Sequence, residues 1–548
     1  MVQPANGWDE IVDVVVVGSG GAALTAAVTA SDGGAHVLVV EKADVIGGTT
    51  GVSGGVMWVP GNHHLAASGL SDSRQEAIDY VSRIADGREL DPALIEVFVD
   101  TVPEMLEYLE ANTPLRTQIV TTLPDYYSPI LDRIPGCKPF SRCVEPLPYP
   151  AREALGDHAD RVAARADLRS LGAATTLVED VTGADPAELA RRERAGMRVK
   201  GAALICCLLK GLLDRGVEVR TSSPAQELIV DADRAVVGVR VGHPGDARAI
   251  GARRGVILAC GGFEWNRDMV LGYLGYDVKP ISPGGNTGDG HLMAMEAGAK
   301  MGNMTSFWGQ GAMIDPAITG ADGQPAPQMS MGLGAGSIIV NQQGHRFMHG
   351  GLTYNDFPKP FANFDQRHPG LPNKPPAWVI FGPSVKDAKP ILTVRPGDPA
   401  PDWMVQAGSI GELADRIGVD PSVLEQTVAT YHGYVADGFD PEWGDPTQTH
   451  RLLTGYDTTL APVDGPPYYA IQQWPGTLGT NGGCRIDANA QVLGNRVDVV
   501  PGLYAAGNTS ASVLGGAYVG GGTPIACGAT FGFIAGRHAA AQPDRDIG

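Results

Sequence analysis

Val12-Asp13-Val14-Val15-Val16-Val17-Gly18-Ser19-Gly20-Gly21-Ala22-Ala23 is the first regular stretch of the chain, and its reading decides the architecture. Residues 12–17 form a β-branched run broken only by Asp13, the pattern of a parallel strand buried on both faces. A glycine turn follows, then Ala- and Thr-rich residues at helical spacing. Val37-Leu38-Val39-Val40 supplies the next strand, closed by Glu41. This β-α-β order predicts an α/β fold that binds a dinucleotide. Gly18 makes the tight bend, and Gly20 lets the backbone approach a pyrophosphate. Gly21 and Ala22 belong to the same turn, and Ala23 takes the small position where helix meets strand. Glu41 stands about 20 residues on, where an acid can accept bonds from ribose hydroxyls, with Lys42 beside it.

Length, charge and cysteine usage narrow the class. The chain has 548 residues and a formal net charge of −20 at pH 7, enough for more than one domain and a large core. Nucleic acid needs a basic surface, so this balance argues against it and against docking to anionic lipid by general charge. The 74 glycines fall in clusters rather than repeats, which points to turns that touch a ligand. The seven cysteines include no CxxC pair and are odd in number. They are expected as small buried residues, not as disulfides or a zinc centre. No metal site is expected, and His63 and His64 are read as loop residues without a role. Acidic residues before the first apolar run do not suit a secretory leader, and no apolar run reaches the roughly 20 residues of a membrane span. The expectation is a cytoplasmic protein, with peripheral membrane association left open.

Further along, residues 75–112 and 150–200 have helical character. Strands are expected at 217–220, 235–241 and 256–259, the last ending in Cys260-Gly261-Gly262. Asn286-Thr287-Gly288-Asp289-Gly290 opens a helix, with Asp289 as its cap. Ala202–Leu209, with Cys206 and Cys207, reads as a core helix. Residues from about 305 to 465 are richer in Pro, Met and Trp and carry one clear helix near 410–435. The expected division is a nucleotide-binding domain over 1–303, an inserted domain over 304–465, and completion of the first domain by 466–548.

A second glycine loop, Gly47-Gly48-Thr49-Thr50-Gly51-Val52-Ser53-Gly54-Gly55, begins a few residues after Glu41. A third lies near the end: Gly502-Leu503-Tyr504-Ala505-Ala506-Gly507-Asn508, then Gly515-Gly516-Ala517-Tyr518-Val519-Gly520-Gly521-Gly522. A NAD domain has no need of the second loop. With Arg254–Gly262, Gly288–Ala299 and Gly344–Phe347, these motifs make the chain, along essentially its whole length, similar to the flavoprotein family of fumarate reductases and 3-ketosteroid dehydrogenases. The resemblance implies a Rossmann-like FAD-binding domain of glutathione-reductase type with an inserted α+β catalytic domain. It also implies FAD contacts at Gly48, Thr49, Thr50, Ser53, Gly54, Gly55, Gly261, Asp289, Gly507, Asn508, Thr523 and Ile525, besides the first turn. Family members that carry FAD covalently use a histidine beside the second loop. Residues 49–53 contain none, so noncovalent FAD is expected.

Within this family the fumarate-type enzymes grip a carboxylate with an arginine in the C-terminal loop and shuttle a proton with another after Gly-x-Arg-Phe. This chain has Tyr518 and Tyr354 at those places, and Thr477-Leu478-Gly479-Thr480-Asn481-Gly482-Gly483 where the relatives have a histidine. Arginine is a permanent cation matched to carboxylate, whereas tyrosine is neutral near pH 7. The tyrosine pattern resembles the 3-ketosteroid Δ1-dehydrogenases. It implies that Tyr518 O–H and Gly522 N–H bond the 3-keto oxygen. Tyr354 would remove a proton from carbon 2 as tyrosinate, supported by Tyr126 or its neighbour Tyr127. A hydride would leave carbon 1 for flavin N5, and an unidentified acceptor would reoxidise the cofactor. The alternatives are a Δ4-dehydrogenase of 3-keto-5α-steroids and a flavin enoate reductase. Val519 stands where the steroid enzymes usually have proline, and Arg346 is read as structural or flavin-side.

Overall fold

The computed structural model describes residues 7–127, 135–140, 142–163, 175–320, 323–349, 353–364, 370, 372–443 and 460–547. Residues 164–174 of the helical 150–200 segment lie outside these. The valine run forms the strand Glu10–Val17, buried from Val12 onward. It pairs in parallel with Val37–Val40 on one side and Arg248–Leu258 on the other, in register Val14 with Val37 and Val17 with Leu258. Glu218–Arg220 extends the sheet beyond Val37–Val40, and Val499–Ala505 lies beyond Arg248–Leu258, both parallel. The C-terminal segment therefore completes the first sheet. An antiparallel hairpin, Ala225–Val230 and Val236–Val241, joins it through Arg248–Leu258.

The second sheet is mostly antiparallel. Its order is Pro325–Met329, Phe307–Thr319, Tyr468–Thr480, Ala377–Phe381, Ser337–Val340 and Arg346–Met348. The sequence division at 465/466 falls just before Tyr468–Thr480, yet that strand hydrogen-bonds within the second sheet, between Phe307–Thr319 and Ala377–Phe381. Separate apolar clusters around Phe357, Phe361 and Phe381, and around Leu413, Leu424 and Tyr431, pack against this sheet. A small third sheet of Met57–Trp58, Cys143–Pro146 and Thr117–Ile119 lies near the helices Arg74–Ala85 and Ala93–Asn112. Lys200–Asp214 is the apolar core helix read at 202–209, with Cys206 and Cys207 buried in it.

Two helices fix the cofactor end of the first sheet. Gly21–Asp32 follows the first strand, and Thr523–Ala540 packs along it. Their backbones approach so closely that a Cβ on Gly532 would stand 2.3 Å from the Ala22 carbonyl oxygen. The same contact recurs one turn on, between Gly536 and the carbonyl of Ala26 at 2.3 Å. The four-residue spacing of these glycines keeps the contact on one helix face. Gly532→Val should force the pair apart, at about 1–3 kcal/mol for an overpacked core. The expected result is a lower unfolding midpoint with earlier loss of FAD, read by denaturant titration followed through flavin fluorescence. An unchanged midpoint would contradict this account of the helix pair.

Candidate active site

The three glycine loops meet at the ends of the parallel strands. Ala22, Gly507 and Gly528 touch one another at the start of the two helices. Thr50 of the second loop accepts the Gly21 amide at 3.1 Å, and Ser19 Oγ accepts the Gly47 amide at 3.0 Å. Ser53 Oγ donates to the Thr50 carbonyl and accepts the Gly55 amide, closing the turn that also contains Gly54. Gly20 faces Gly47 and Gly48. The Glu41 carboxylate accepts from Ser19 Oγ at 2.7 Å and from the Ala43 amide at 2.8 Å. Lys42 reaches across to Thr287 Oγ1 and Asp289 at 2.7 and 2.6 Å. Asp289 is not the cap expected from sequence. Gly288 holds that position, and Asp289 sits in the first turn with its carboxylate on Lys42. Thr49 accepts from Asn286, and Thr509 Oγ1 ties the Cys260 amide to the Gly261 carbonyl.

A small cleft opens beside these loops, lined by Trp308, Asn481, Gly507, Asn508, Pro524 and Phe531 among others. Asn481 is 1% exposed, and neither polar atom of its side-chain amide has a partner among the described residues. A buried amide without partners calls for a polar ligand. The helix start, the glycine cradle and this unpaired amide together fit FAD. Thr523 begins the C-terminal helix. Its hydroxyl is turned to the Gly520 amide and carbonyl, so it braces the tyrosine loop. Ile525 packs against the main core.

Three phenols from distant parts of the chain gather near this cleft. Tyr126 and Tyr354 hydroxyls are 2.7 Å apart. Tyr518 stacks on Tyr126 with ring centroids 5.4 Å apart and meets Tyr354 edge-on at 5.0 Å. Trp308 closes the fourth side against Tyr518, its indole N–H bonded to Asn508 at 2.9 Å. Gly522, with φ +80°, begins the C-terminal helix, and a Cβ there would collide with the Val56 carbonyl oxygen at 1.9 Å. Its amide faces the Tyr518 hydroxyl, which brings the two expected ketone donors together. Tyr127 points elsewhere, onto Asp356 at 2.7 Å. The alternative between the adjacent tyrosines is thereby resolved, with Tyr126 facing Tyr354.

Burial raises all three pKa values above the ordinary phenol range. For Tyr354, the fields of Tyr126 and Tyr518 and its bonds to them add to the rise. For Tyr126 and Tyr518, the bond to Tyr354 acts the other way. In the neutral cluster either hydroxyl of the Tyr126–Tyr354 pair can donate. An ionised Tyr354 requires Tyr126 as donor.

The supports of the cluster are buried and polar. The Val519 carbonyl accepts the Tyr80 hydroxyl at 2.6 Å and the Tyr126 amide at 3.0 Å. Asp125, next to Tyr126, accepts from Trp58 Nε1, the Lys138 amide and Arg142. Arg142 also forks onto Asp72 at 2.7 and 2.9 Å, and its side chain is 1% exposed. Burial pushes the Asp125 carboxyl up to about 6, with Arg142 opposing the rise. Across the cleft, Asn355 accepts the Gly309 amide and donates to the Gly516 carbonyl, which holds Tyr354 against the loop of Tyr518.

The FAD binding domain family matches residues 13–525. The chain belongs to this flavoprotein family. It is an FAD-dependent oxidoreductase. At 34% identity it is similar to the 3-oxosteroid 1-dehydrogenase of Mycobacterium tuberculosis strain H37Rv, over 97% of this chain and 98% of that one. At 33% it is similar to the 4-oxocyclohexanecarboxylate 2-dehydrogenase of Sinomonas cyclohexanicum, over 97% and 93%. Among solved structures, the 3-ketosteroid Δ1-dehydrogenase of Sterolibacterium denitrificans in complex with 1,4-androstadiene-3,17-dione matches with a TM-score of 0.83 and 31% identity. That match covers 97% of this chain and all of that one. No helix of the described residues is long and apolar enough to cross a membrane.

Sequence reasoning passed over Trp308, Asn481, Tyr80 and the Asp72–Arg142–Asp125 set. Asn481 lies in a quoted motif and had a signal; the others gain their meaning only from contacts distant in sequence. Arg346 proves structural: it pairs with buried Asp440 and lies under the rings of Tyr431 and Trp443. Arg142→Leu should leave two buried carboxylates unpaired and cost about 3–5 kcal/mol. Tyr80→Phe removes one hydroxyl from the Val519 carbonyl and should cost about 1–2 kcal/mol, with lowered turnover and retained FAD. Urea titrations of both variants check the order. A Tyr80→Phe loss as large as that of Arg142→Leu would contradict it.

Proposed function

We propose that the protein desaturates a cyclic ketone next to its carbonyl, and that its substrate is a 3-ketosteroid oxidised between carbons 1 and 2. The observation that carries this reading is the convergence of Tyr126, Tyr354 and Tyr518, with phenols where dicarboxylate enzymes of this family hold arginines. Buried neutral donors suit a ketone oxygen and give a carboxylate no counter-charge. In the proposed mechanism Tyr518 O–H and Gly522 N–H hydrogen-bond the ketone oxygen and stabilise the negative charge that develops there. This acidifies the adjacent carbon, and Tyr354 takes its proton. Tyr126 donates to the phenolate oxygen of Tyr354. Trp308 and the stacked rings exclude water from the enolate. FAD, when bound, supplies the two-electron oxidation by accepting the hydride released from the neighbouring carbon.

A second reading is a single-ring oxo acid, favoured by the similarity to the Sinomonas enzyme. Arg88 is a cation beside the tyrosine loop, near Gly516, and donates only to the Ile84 and Ala85 carbonyls among the described residues. Anaerobic mixing separates the two. Androstenedione should bleach the flavin absorption, while 4-oxocyclohexanecarboxylate should leave it unchanged. Bleaching by the oxo acid alone would replace the steroid reading, and bleaching by succinate would overturn both.

Tyr518→Phe should lower turnover by about 10² or more with FAD retained, the loss of one oxyanion donor. Near-normal turnover would remove its role. Tyr354→Phe should abolish exchange of the carbon-2 hydrogens with solvent. Since burial raises the Tyr354 pKa, its base form is scarce at neutral pH and grows as pH rises. The kcat/KM of wild-type enzyme should therefore climb between about pH 7 and 10, by up to about tenfold per unit. A profile that falls over this range would exclude a tyrosinate base.

A further inference from the structure

His63 and His64 were expected to be idle, but the fold places them against a third group. They follow the turn after Met57–Trp58, and His64 opens the short helix His64–Ala67. Glu110 reaches them from the last turn of Ala93–Asn112. The Thr117 amide and hydroxyl both donate to Glu110 Oε1 at 2.7 Å, which fixes the carboxylate. Its other oxygen is 2.9 Å from His63 Nε2, and His64 Nε2 is 3.8 Å from Oε1. The imidazole rings are 4.0 Å apart, and one ligand atom from each residue lies within 4.8 Å of the others.

We propose that His63, His64 and Glu110 form a binding site for a divalent first-row transition ion of the zinc type, completed by water. Two imidazoles and one carboxylate match the ligand preferences of such ions, whereas magnesium and calcium select oxygen donors alone. Tetrahedral zinc, with bonds of about 2.0–2.1 Å, holds neighbouring ligand atoms about 3.3 Å apart. The 2.9 Å from His63 Nε2 to Glu110 Oε2 is near that spacing, and His64 Nε2, 3.8 Å from Oε1 and 2.8 Å from Thr117 Oγ1, would exchange its bond to Thr117 for the ion. Small side-chain rotations close the difference, and partial exposure leaves room for water. Thr117 has the part of an outer partner that orients a ligand. The ion would join the turn after Trp58 to the end of the helix carrying Phe98, on which Trp58 stacks, and so brace the wall behind Gly520.

The test uses FAD-loaded, chelator-treated enzyme titrated with zinc chloride, with bound metal counted by elemental analysis after dialysis. The expected result is saturation at one zinc ion per chain and a raised unfolding temperature. His63→Gln and Glu110→Gln should each lose saturable binding, and Thr117→Val should weaken it roughly tenfold or more. FAD content confirms that each variant is folded. No saturable uptake by the wild type would reduce the group to a His63–Glu110 ion pair and overturn the proposal. Uptake undiminished in His63→Gln and Glu110→Gln would overturn it equally, as binding elsewhere. Both readouts are independent of turnover, so failure here leaves the proposed reaction standing.

Discussion

The carbonyl of Val519 is the hinge point of the candidate active site. One oxygen accepts both the Tyr80 hydroxyl and the Tyr126 amide, and it joins the C-terminal loop to two segments near the start of the chain. The residue before it carries Tyr518, and the residue after it lies against the Trp58 indole. The donors differ in kind: the Tyr126 amide brings the second phenol of the cluster, and Tyr80 brings a wholly buried helix position. Behind them, Trp58, Asp125, Arg142 and Asp72 form a continuous polar chain in a dry environment. In such surroundings a bond is stiff because losing it strands a polar group without water. Placement of the phenols therefore follows from the satisfaction of this buried network.

The fumarate-type pattern and this one share a scaffold and differ in charge. Arginine in the C-terminal loop would need a buried counter-ion or an anionic substrate to offset its desolvation. Tyr518 is 5% exposed and has no such need. Two cations among its supports are matched, Arg142 by Asp72 and Asp125 and Lys359 by Asp356, which also holds Tyr127, while Arg88 lies beside the loop near Gly516. A neutral, aromatic, donor-lined site results, within a protein of net charge −20.

The first β-α-β unit was legible because its signals are local. The valine run, the glycine turn and Glu41 each act within about one helix of one another. The same holds for the core helix at 202–209. Tyr468–Thr480 was assigned to the first domain by its glycine-rich style. Strand pairing is non-local, and composition does not say which sheet a strand joins. Asp289 was read as a cap from its residue type, whereas Gly288 with φ +81° takes that place and leaves the carboxylate to Lys42. The tyrosines were legible from position within motifs. Their supports were not, because Tyr80 and Arg142 resemble ordinary helix and strand residues until the fold buries them together. His63 and His64 were set aside for a related reason: Glu110 lies far along the chain, and nothing local announces it.

Burial places a demand on the phenols, and their grouping acts on each of them differently. It raises every pKa in the cluster, which suits Tyr518 as a donor and opposes Tyr354 as a base. An isolated buried phenolate would be prohibitive. A phenolate at Tyr354 would not be isolated, because the Tyr126 hydroxyl lies 2.7 Å from its oxygen and can donate to it. In the proposed mechanism the Tyr518 hydroxyl turns to the ketone, and Tyr126 remains as the donor to Tyr354. The proposed reaction thus divides the cluster, with one phenol on the substrate oxygen and another supporting the proposed base.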